Sequence, residues 1–171
     1  AGTGSCGIHL SGNEQHVVGG REFPISDQGG GAVMGLTLIQ KVLLAEDGIG
    51  EKTPLCQEVM THFSNDVDQI VSWSKNALPR DYGKFSPMIF RHAAQADSLA
   101  ISLLQQTAAD VEMFILALHK KGANRICLMG SIAERMYDWL SPPVQQWIVE
   151  PQFDAIEGAL MFAGKPEHNL Y

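Results

Sequence analysis

The amino-acid sequence predicts an α/β protein, a mixed sheet that begins with an N-terminal β-meander and is covered by helices. The first 26 residues are short apolar stretches divided by glycine turns, which is typical of strands that fold back on one another. Most of the remaining chain repeats its apolar residues at the spacing of helices. A short apolar run late in the chain, Arg125–Met129, indicates a buried strand.

The meander is predicted from three short elements. Cys6–Leu10 alternates weakly between apolar and polar residues, and a turn signal follows at residues 11–13. His16–Val18 is then a returning strand that ends before two glycines, and Phe23–Ser26 is a third short element. The sheet therefore begins as a hairpin or a meander.

The helices are predicted from apolar stripes and from the residues that precede them. Thr53 precedes Pro54, which is favoured at the first position of a helix. The clearest stripe covers Asp97–Lys121 and is closed by Gly122. A first helix is capped by Asp27 or a neighbour and ends near Asp47-Gly48, and another helix begins at Ser86-Pro87. Further helices are predicted at Leu55–Phe63, Asn65–Asn76, Ile132–Leu140 and Asp154–Ala163. A loop is predicted at Pro79–Gly83 and a last strand at Trp147–Val149.

Composition narrows the function classes. The chain has 171 residues, of which 45% are hydrophobic and 18% are charged, and this suits one globular domain. A net charge of −7 argues against a nucleic-acid footprint, which needs a basic patch. No continuous apolar run approaches the roughly 20 residues of a membrane span. The odd, widely spaced cysteines Cys6, Cys56 and Cys127 favour a reduced cytoplasm over a disulfide framework.

The first seven residues, A-G-T-G-S-C-G, satisfy the glycine pattern of a phosphate loop. A dinucleotide-binding loop would follow a strand and open a helix, but here a turn signal interrupts the next stretch. A Walker loop is excluded because no Lys-Ser or Lys-Thr pair follows. The consecutive N–H groups can still form an anion nest, with hydroxyl donors from Thr3 and Ser5. The alternative is a tight hairpin without a ligand.

Two further stretches have both a functional and a purely structural interpretation. Asp27 precedes three closely spaced glycines, so its carboxylate either accepts hydrogen bonds from a polyol or caps the next helix. Gly130 and Ser131 follow the buried run and either border a flat ligand or form an ordinary turn. No zinc site is expected, because Cys6, His9 and His16 are only three candidate ligands and no fourth supports them.

The order of these motifs resembles the C-terminal lobe of the sugar kinase/heat-shock chaperone/actin superfamily. Within it, the chain is similar to the BadF/BadG-type ATPases, on the branch of the bacterial glucosamine and N-acetylglucosamine kinases. The stretches S-D-Q-G-G-G and P-M-I-F-R-H-A-A-Q-A-D are typical of that branch, whereas G-T-G-S occurs across the superfamily. The resemblance covers essentially the whole chain and implies an actin-like, ribonuclease H-like lobe.

The resemblance also implies a role for individual residues. Gly130 and Ser131 correspond to the adenosine loop, although Ser131 stands where relatives have a second glycine. Asp27 corresponds to an aspartate that binds sugar hydroxyls. The residues implied to face the ATP phosphates are Gly2, Thr3, Gly4 and Ser5, and those implied to lie beside the sugar pocket are Cys6, Val18 and Gln28.

The implied function is ATP-dependent phosphorylation of an amino-hexose, with Mg²⁺ as cofactor. Residues 1–171 would be the C-terminal lobe of a two-lobe enzyme, and the N-terminal lobe would carry the base, the magnesium-binding acid and the first phosphate loop. No catalytic or metal-binding residue is therefore expected in this chain, which alone should be inactive. The helices between residues 53 and 121 offer enough surface for a homodimer. The alternatives are a non-catalytic sensing lobe and an activator ATPase with an iron–sulfur cluster, for which the cysteine spacing is wrong.

Overall fold

The computed structural model describes residues 1–153 and 155–163 and begins with a β-hairpin. Strand β1 (Cys6–Ser11) pairs antiparallel with β2 (Glu14–Gly19), in a register that places Cys6 opposite Gly19 and Ser11 opposite Glu14. Gly12 takes a φ of 60° in the two-residue turn, a conformation that favours glycine. The first two predicted elements are thereby confirmed.

The third predicted element, Phe23–Ser26, is wrong, because this segment forms turns. The N–H of Ser26 donates to the Glu22 carbonyl at 2.6 Å, which closes the segment on itself. Pro24 has no N–H to offer a neighbouring strand. Within the described residues, the expected meander is therefore a hairpin.

Helices form most of the remaining chain, and the predicted cap of one of them is present. The Thr53 hydroxyl accepts a hydrogen bond from the Cys56 N–H at 3.4 Å, as its position before a proline predicts. The predicted loop at 79–83 is wrong, since a short helix lies there and the Asp81 carboxylate accepts from the Leu78 N–H at 3.0 Å. The helices are α1 (Gly31–Glu46), α2 (Pro54–His62), α3 (Val67–Ser74), α4 (Pro79–Gly83), α5 (Ser86–Ala93), α6 (Ser98–His119), α7 (Ala133–Met136), α8 (Pro142–Gln145) and α9 (Ala155–Ala163).

One predicted helix near the C-terminus differs from the structure, and the predicted start of another is not among the described residues. A 3₁₀ turn, Tyr137–Trp139, continues α7, so the helix predicted over Ile132–Leu140 is divided. Asp154, with which the closing helix was predicted to start, lies outside the described residues.

The two late strands reduce to one parallel bridge between Ile126 and Ile148. The Ile126 N–H donates to the Trp147 carbonyl at 2.8 Å, and the Val149 N–H donates to the Ile126 carbonyl at 3.0 Å. An apolar run becomes a strand only where a ladder of hydrogen bonds continues, and in the described part of the chain this ladder stops after one residue.

Helix α6 lies at the centre of the core and contacts both strands, α1, α5, α7 and α8. It is long and apolar enough, by length and composition, to cross a membrane. One of its faces, which includes Leu104 and Ile115, is buried against the rest of the protein. Core packing therefore accounts for the apolar residues on that face. The loops that precede α1 and α7 meet at Asp27 and Gly130.

Candidate functional site

The glycine-rich loop at residues 2–5 is docked on the first turn of α1. The carbonyls of Gly2 and Thr3 accept hydrogen bonds from the N–H groups of Gly31 and Ala32, at 2.8 and 2.9 Å. The Gly2 N–H donates to the Gly4 carbonyl at 2.9 Å, which tightens the loop. The loop therefore lies at the positive end of the helix dipole.

Two neighbouring N–H groups of this loop are free to bind an anion. Within the described residues, neither Thr3 nor Gly4 uses its N–H in a hydrogen bond, and Thr3 is exposed. Consecutive N–H groups of this kind form an anion nest. The hydroxyl of Ser5, in contrast, donates to the Gln28 carbonyl and is buried, so it holds the loop in place.

Asp27 lies against the loop and does not cap α1. Gly30 is the N-cap residue and makes no side-chain cap, so the capping alternative is wrong. The Asp27 carboxylate instead accepts a hydrogen bond from the Ser5 N–H at 3.3 Å. A side chain at Gly4 would place its Cβ 2.9 Å from Asp27 Oδ1, so any larger residue there would displace the Asp27 carboxylate. Asp27 has a φ of 73°, a left-handed conformation that costs about 1–3 kcal/mol and is concentrated at functional sites.

An open hollow of about 480 Å³ brings several of the predicted residues together. Asp27 lies beside the glycine-rich loop in this hollow, and Cys6 is exposed at its wall. We call it the Asp27 hollow, and its lining is Ala1, Gly2, Gly4, Ser5, Cys6, Gly20, Asp27, Met129 and Gly130.

Two predicted sugar-site residues direct their side chains elsewhere. The Gln28 amide donates to the Ile25 carbonyl at 3.2 Å, and Gln28 does not line the Asp27 hollow. Val18 pairs with Gly7 in the hairpin and is partly buried against the hydrophobic core. The hairpin therefore turns Val18 towards the core.

The loop before α7 is fixed against the start of the glycine-rich loop. Gly130 has a φ of 96°, and a Cβ at this position would lie 2.6 Å from the Ala1 carbonyl oxygen. The same carbonyl accepts hydrogen bonds from the N–H groups of Ile132 and Ala133, both at 3.2 Å. The Glu134 carboxylate accepts from the Gly130 N–H at 3.2 Å. Gly130 is therefore required for this close contact.

Ser131 lines a second, narrower cleft of about 160 Å³ between the glycine-rich loop, α5 and α7. The guanidinium carbon of Arg135 lies 5.2 Å from the centroid of the Phe90 ring at this cleft. Arg135 makes no ion pair within the described part of the chain. We call it the side cleft, and it is lined by Gly2, Thr3, Gly31, Gly83, Ser86, Pro87, Phe90, Ser131, Ile132 and Arg135.

Among the residues that line the side cleft, Ser86, Phe90 and Arg135 received no functional role from the sequence. Phe90 lies in the stretch P-M-I-F-R-H-A-A-Q-A-D, so that stretch was a usable signal for it. Ser86 had been interpreted only as the start of a helix. Among the described residues, no group of three or more His, Cys, Asp or Glu side chains could hold a metal ion, so we assign no magnesium ligand to them.

Comparisons with known proteins show the family and the fold of the chain. The chain is 77% identical, over all of its 171 residues, to the glucosamine kinase GspK of Vibrio cholerae, and it spans 58% of that protein. A crystal structure from Chromobacterium violaceum, provisionally named an N-acetylglucosamine kinase, superposes with a TM-score of 0.86 at 30% identity. That match covers 94% of this chain and 56% of the other, and it confirms the α/β, actin-like ATPase fold. The profile of one family matches residues 1–163, and the chain therefore belongs to the BadF/BadG/BcrA/BcrD ATPase family.

Proposed function

We propose that this chain is the C-terminal lobe of a two-lobe kinase that transfers a phosphoryl group from ATP to glucosamine or N-acetylglucosamine. One observation carries the proposal: the carboxylate of Asp27 is hydrogen-bonded to the same loop that offers two free N–H groups to an anion. An acceptor for sugar hydroxyls thus lies directly beside a phosphate nest. The names of the two relatives support an amino-hexose as the sugar.

The glycine-rich loop would hold the phosphates of ATP. The N–H groups of Thr3 and Gly4 donate to phosphate oxygens, and the N-terminus of α1 adds its partial positive charge. Phosphoryl transfer depends on positioning and on stabilising charge around the whole phosphoryl group. This loop supplies one side only, so we assign the other side, together with the general base and Mg²⁺, to the N-terminal lobe.

Asp27 would orient the sugar. One of its carboxylate oxygens, Oδ1, accepts from the Ser5 N–H, while Oδ2 has no hydrogen-bond donor among the described residues. Oδ2 is therefore available to a sugar hydroxyl in the Asp27 hollow. Because Oδ1 is held by the loop, the carboxylate has a fixed position relative to the phosphates, which is what an in-line transfer needs.

The nucleoside of ATP would lie on the other side of the glycine-rich loop. Ser131 lines the side cleft there, as the resemblance implies, whereas Gly130 precedes it in the loop that is hydrogen-bonded to Ala1. The three cysteines form no disulfide with one another, which fits the cytoplasmic location that we propose.

The test uses the complete protein that contains this chain. ADP release is measured with ATP and glucosamine, N-acetylglucosamine or glucose, and the product is identified by mass spectrometry. We expect ADP release that depends on an amino sugar, with one phosphoryl group added to it. Sugar binding without turnover would instead indicate a sensing protein, and neither binding nor turnover would refute the proposal.

A further inference from the structure

Ser5 joins the glycine-rich loop to the turn that carries Asp27. Its hydroxyl donates to the Gln28 carbonyl, and its N–H donates to Asp27 Oδ1 at 3.3 Å. Within the described part of the chain, both hydrogen bonds that connect this loop with Asp27 and Gln28 come from Ser5. One residue of the loop therefore holds the turn at two points.

The turn needs such a support, because Asp27 is half-buried and has a φ of 73°. In a residue other than glycine, a left-handed conformation persists only where the surrounding structure fixes it. The Gly30 N–H donates to the Asp27 carbonyl at 2.9 Å, which closes the turn but does not connect it to the loop. The position of the carboxylate relative to the loop therefore depends on Ser5.

The Ser5 hydroxyl is already committed to the turn and is not free to bind a phosphate. A serine hydroxyl has a single proton to donate, and here the Gln28 carbonyl receives it. A phosphate oxygen needs a donor, so the hydroxyl would have to leave Gln28 in order to bind one. Ser5 is also only 6% exposed, whereas Thr3 is exposed. The geometry therefore favours a contact with the turn over the phosphate contact that the resemblance implies for Ser5.

No side chain separates the turn from the loop. A Cβ at Gly4 would lie 2.9 Å from Asp27 Oδ1, and a Cβ at Gly30 would lie 2.8 Å from the Thr3 carbonyl oxygen. Segments in such close contact transmit small displacements to one another. A change in the bond that Ser5 makes should therefore move the Asp27 carboxylate directly.

We infer that Ser5 is a positioning residue, whose hydroxyl holds the Asp27 carboxylate in the orientation that receives the sugar. The inference rests on the proposed role of Asp27 in sugar binding. It assigns Ser5 to the sugar side of the site, which neither the glycine pattern nor the resemblance does. Without the hydroxyl, the turn should populate other conformations, and the apparent sugar affinity falls with the fraction that stays competent to bind.

The first test is a double-mutant cycle of Ser5→Ala and Asp27→Gly in the complete protein. Glycine removes the carboxylate and accepts the left-handed backbone at position 27. Loss of one neutral hydrogen bond should weaken sugar binding about twofold to tenfold in Ser5→Ala, with ATP affinity in the absence of sugar unchanged. In the Asp27→Gly background, Ser5→Ala should weaken sugar binding no further, because Ser5 acts through Asp27. Calorimetric titration with ATP and both amino sugars, together with the KM for each, measures these effects.

Thr107→Val is the matched control for the loss of a buried hydroxyl. The Thr107 hydroxyl is also buried and donates to a backbone carbonyl, that of Leu103, at 2.8 Å. Thr107 lines neither the Asp27 hollow nor the side cleft, so this variant should bind sugar and ATP like the wild type. If Ser5→Ala does not fold, Ser5→Cys replaces it, since a thiol has a similar size but is a weak donor.

Three results of the cycle would overturn the inference. A loss of ATP affinity with unchanged sugar affinity would make the Ser5 hydroxyl a phosphate ligand. An equal loss of sugar affinity with and without the Asp27 carboxylate would show that Ser5 does not act through Asp27. Unchanged affinity for both ligands would leave the hydroxyl without a role in binding.

Amide hydrogen exchange without any ligand separates this inference from the proposed function. The Gly30 N–H, which donates to the Asp27 carbonyl, should exchange faster in Ser5→Ala than in Thr107→Val, which corrects for a general loss of stability. Equal exchange rates would overturn the inference even if the complete protein is a sugar kinase. Faster exchange in a protein that binds no amino sugar would refute the proposed function, but it would leave Ser5 as the residue that positions Asp27.

Discussion

Asp27 shows at the scale of one residue why its role could not be settled from the sequence. Asp is a common N-cap, and three glycines follow it, so the start of α1 could not be fixed to one position. In the structure Gly30 occupies the N-cap, and Asp27 bends away in a left-handed conformation towards Ser5. The carboxylate is thereby released from the helix and made available to a ligand.

Asp27→Asn in the complete protein should weaken sugar binding without unfolding the protein. Asn has nearly the same size and also tolerates a left-handed backbone. A hydrogen bond to a charged acceptor contributes about 1.5–3 kcal/mol, so sugar affinity should fall about tenfold to hundredfold. ATP affinity without sugar and Tm should change little. Melting curves and calorimetric titration with both amino sugars check this, and unchanged affinity for both would remove Asp27 from the site.

At the scale of elements, a cluster of charged residues joins α2, α5 and α6. The Asp97 carboxylate accepts from the Ala100 N–H at 3.0 Å, which caps α6, and from the Leu55 N–H of α2 at 2.9 Å. Glu58 of α2 pairs with Arg91 and with His92, whose Nε2 lies 2.7 Å from Glu58 Oε2. The second half of the stretch P-M-I-F-R-H-A-A-Q-A-D is therefore structural.

The pKa values of both carboxyl groups are lowered in this cluster. Hydrogen bonds from His92 and then Arg91 lower the pKa of Glu58. For Asp97, burial acts to raise the pKa, but the N–H groups of Ala100 and Leu55 outweigh burial and hold it below its ordinary value. Both groups therefore favour the folded state when they are ionised.

Asp97→Ala should destabilise the chain more than Asp66→Ala, a matched loss of an N-cap. Asp66 caps α3 by accepting from the Asp68 N–H at 2.9 Å, and such a cap contributes about 0.5–2 kcal/mol. Asp97→Ala also leaves the buried N–H of Leu55 without its acceptor, which adds about 1–3 kcal/mol. Urea unfolding at pH 7 measures both variants, and equal costs would contradict the double role of Asp97.

The stability lost in Asp97→Ala, relative to the wild type, should depend on pH. The pKa of Asp97 is lower in the folded than in the unfolded chain, so its stabilisation is complete above the unfolded value of about 3.9. It is lost as the pH falls through the lower folded value. The difference between wild type and Asp97→Ala should therefore shrink below about pH 4, and a difference that stays constant there would contradict the assignment.

Local sequence predicted most helices but not the elements that depend on distant partners. Thr53 and Pro54 fixed the start of α2 because a cap acts within one turn. Pro79–Gly83 was too short for a periodic pattern, so its helix was missed. The run around Ile126 lacked a continuing ladder, which an apolar pattern cannot reveal. Ser86 and Arg135 come from separate segments, so only the folded chain brings them to one cleft.

At the scale of the whole molecule, the chain spans 58% of one relative and 56% of the other. We expect these 171 residues alone to show no sugar-dependent ATP consumption, whereas the complete protein should show it, because the charge around the transferred group must come from both sides. A coupled ADP assay on both proteins checks this, with circular dichroism to show that the shorter chain is folded. Robust turnover by the shorter chain would contradict the two-lobe proposal.

The hydrogen bond from Ser5 to Asp27 has a thermodynamic consequence if both ligands bind as proposed. The carboxylate that receives the sugar also fixes the loop that receives the phosphates, so the two binding equilibria share one group. Such sharing couples the two equilibria, and any such coupling is reciprocal: the factor by which the sugar alters ATP affinity is the factor by which ATP alters sugar affinity. The sugar and ATP would then influence each other's binding through the Asp27 carboxylate and its single hydrogen bond to the glycine-rich loop.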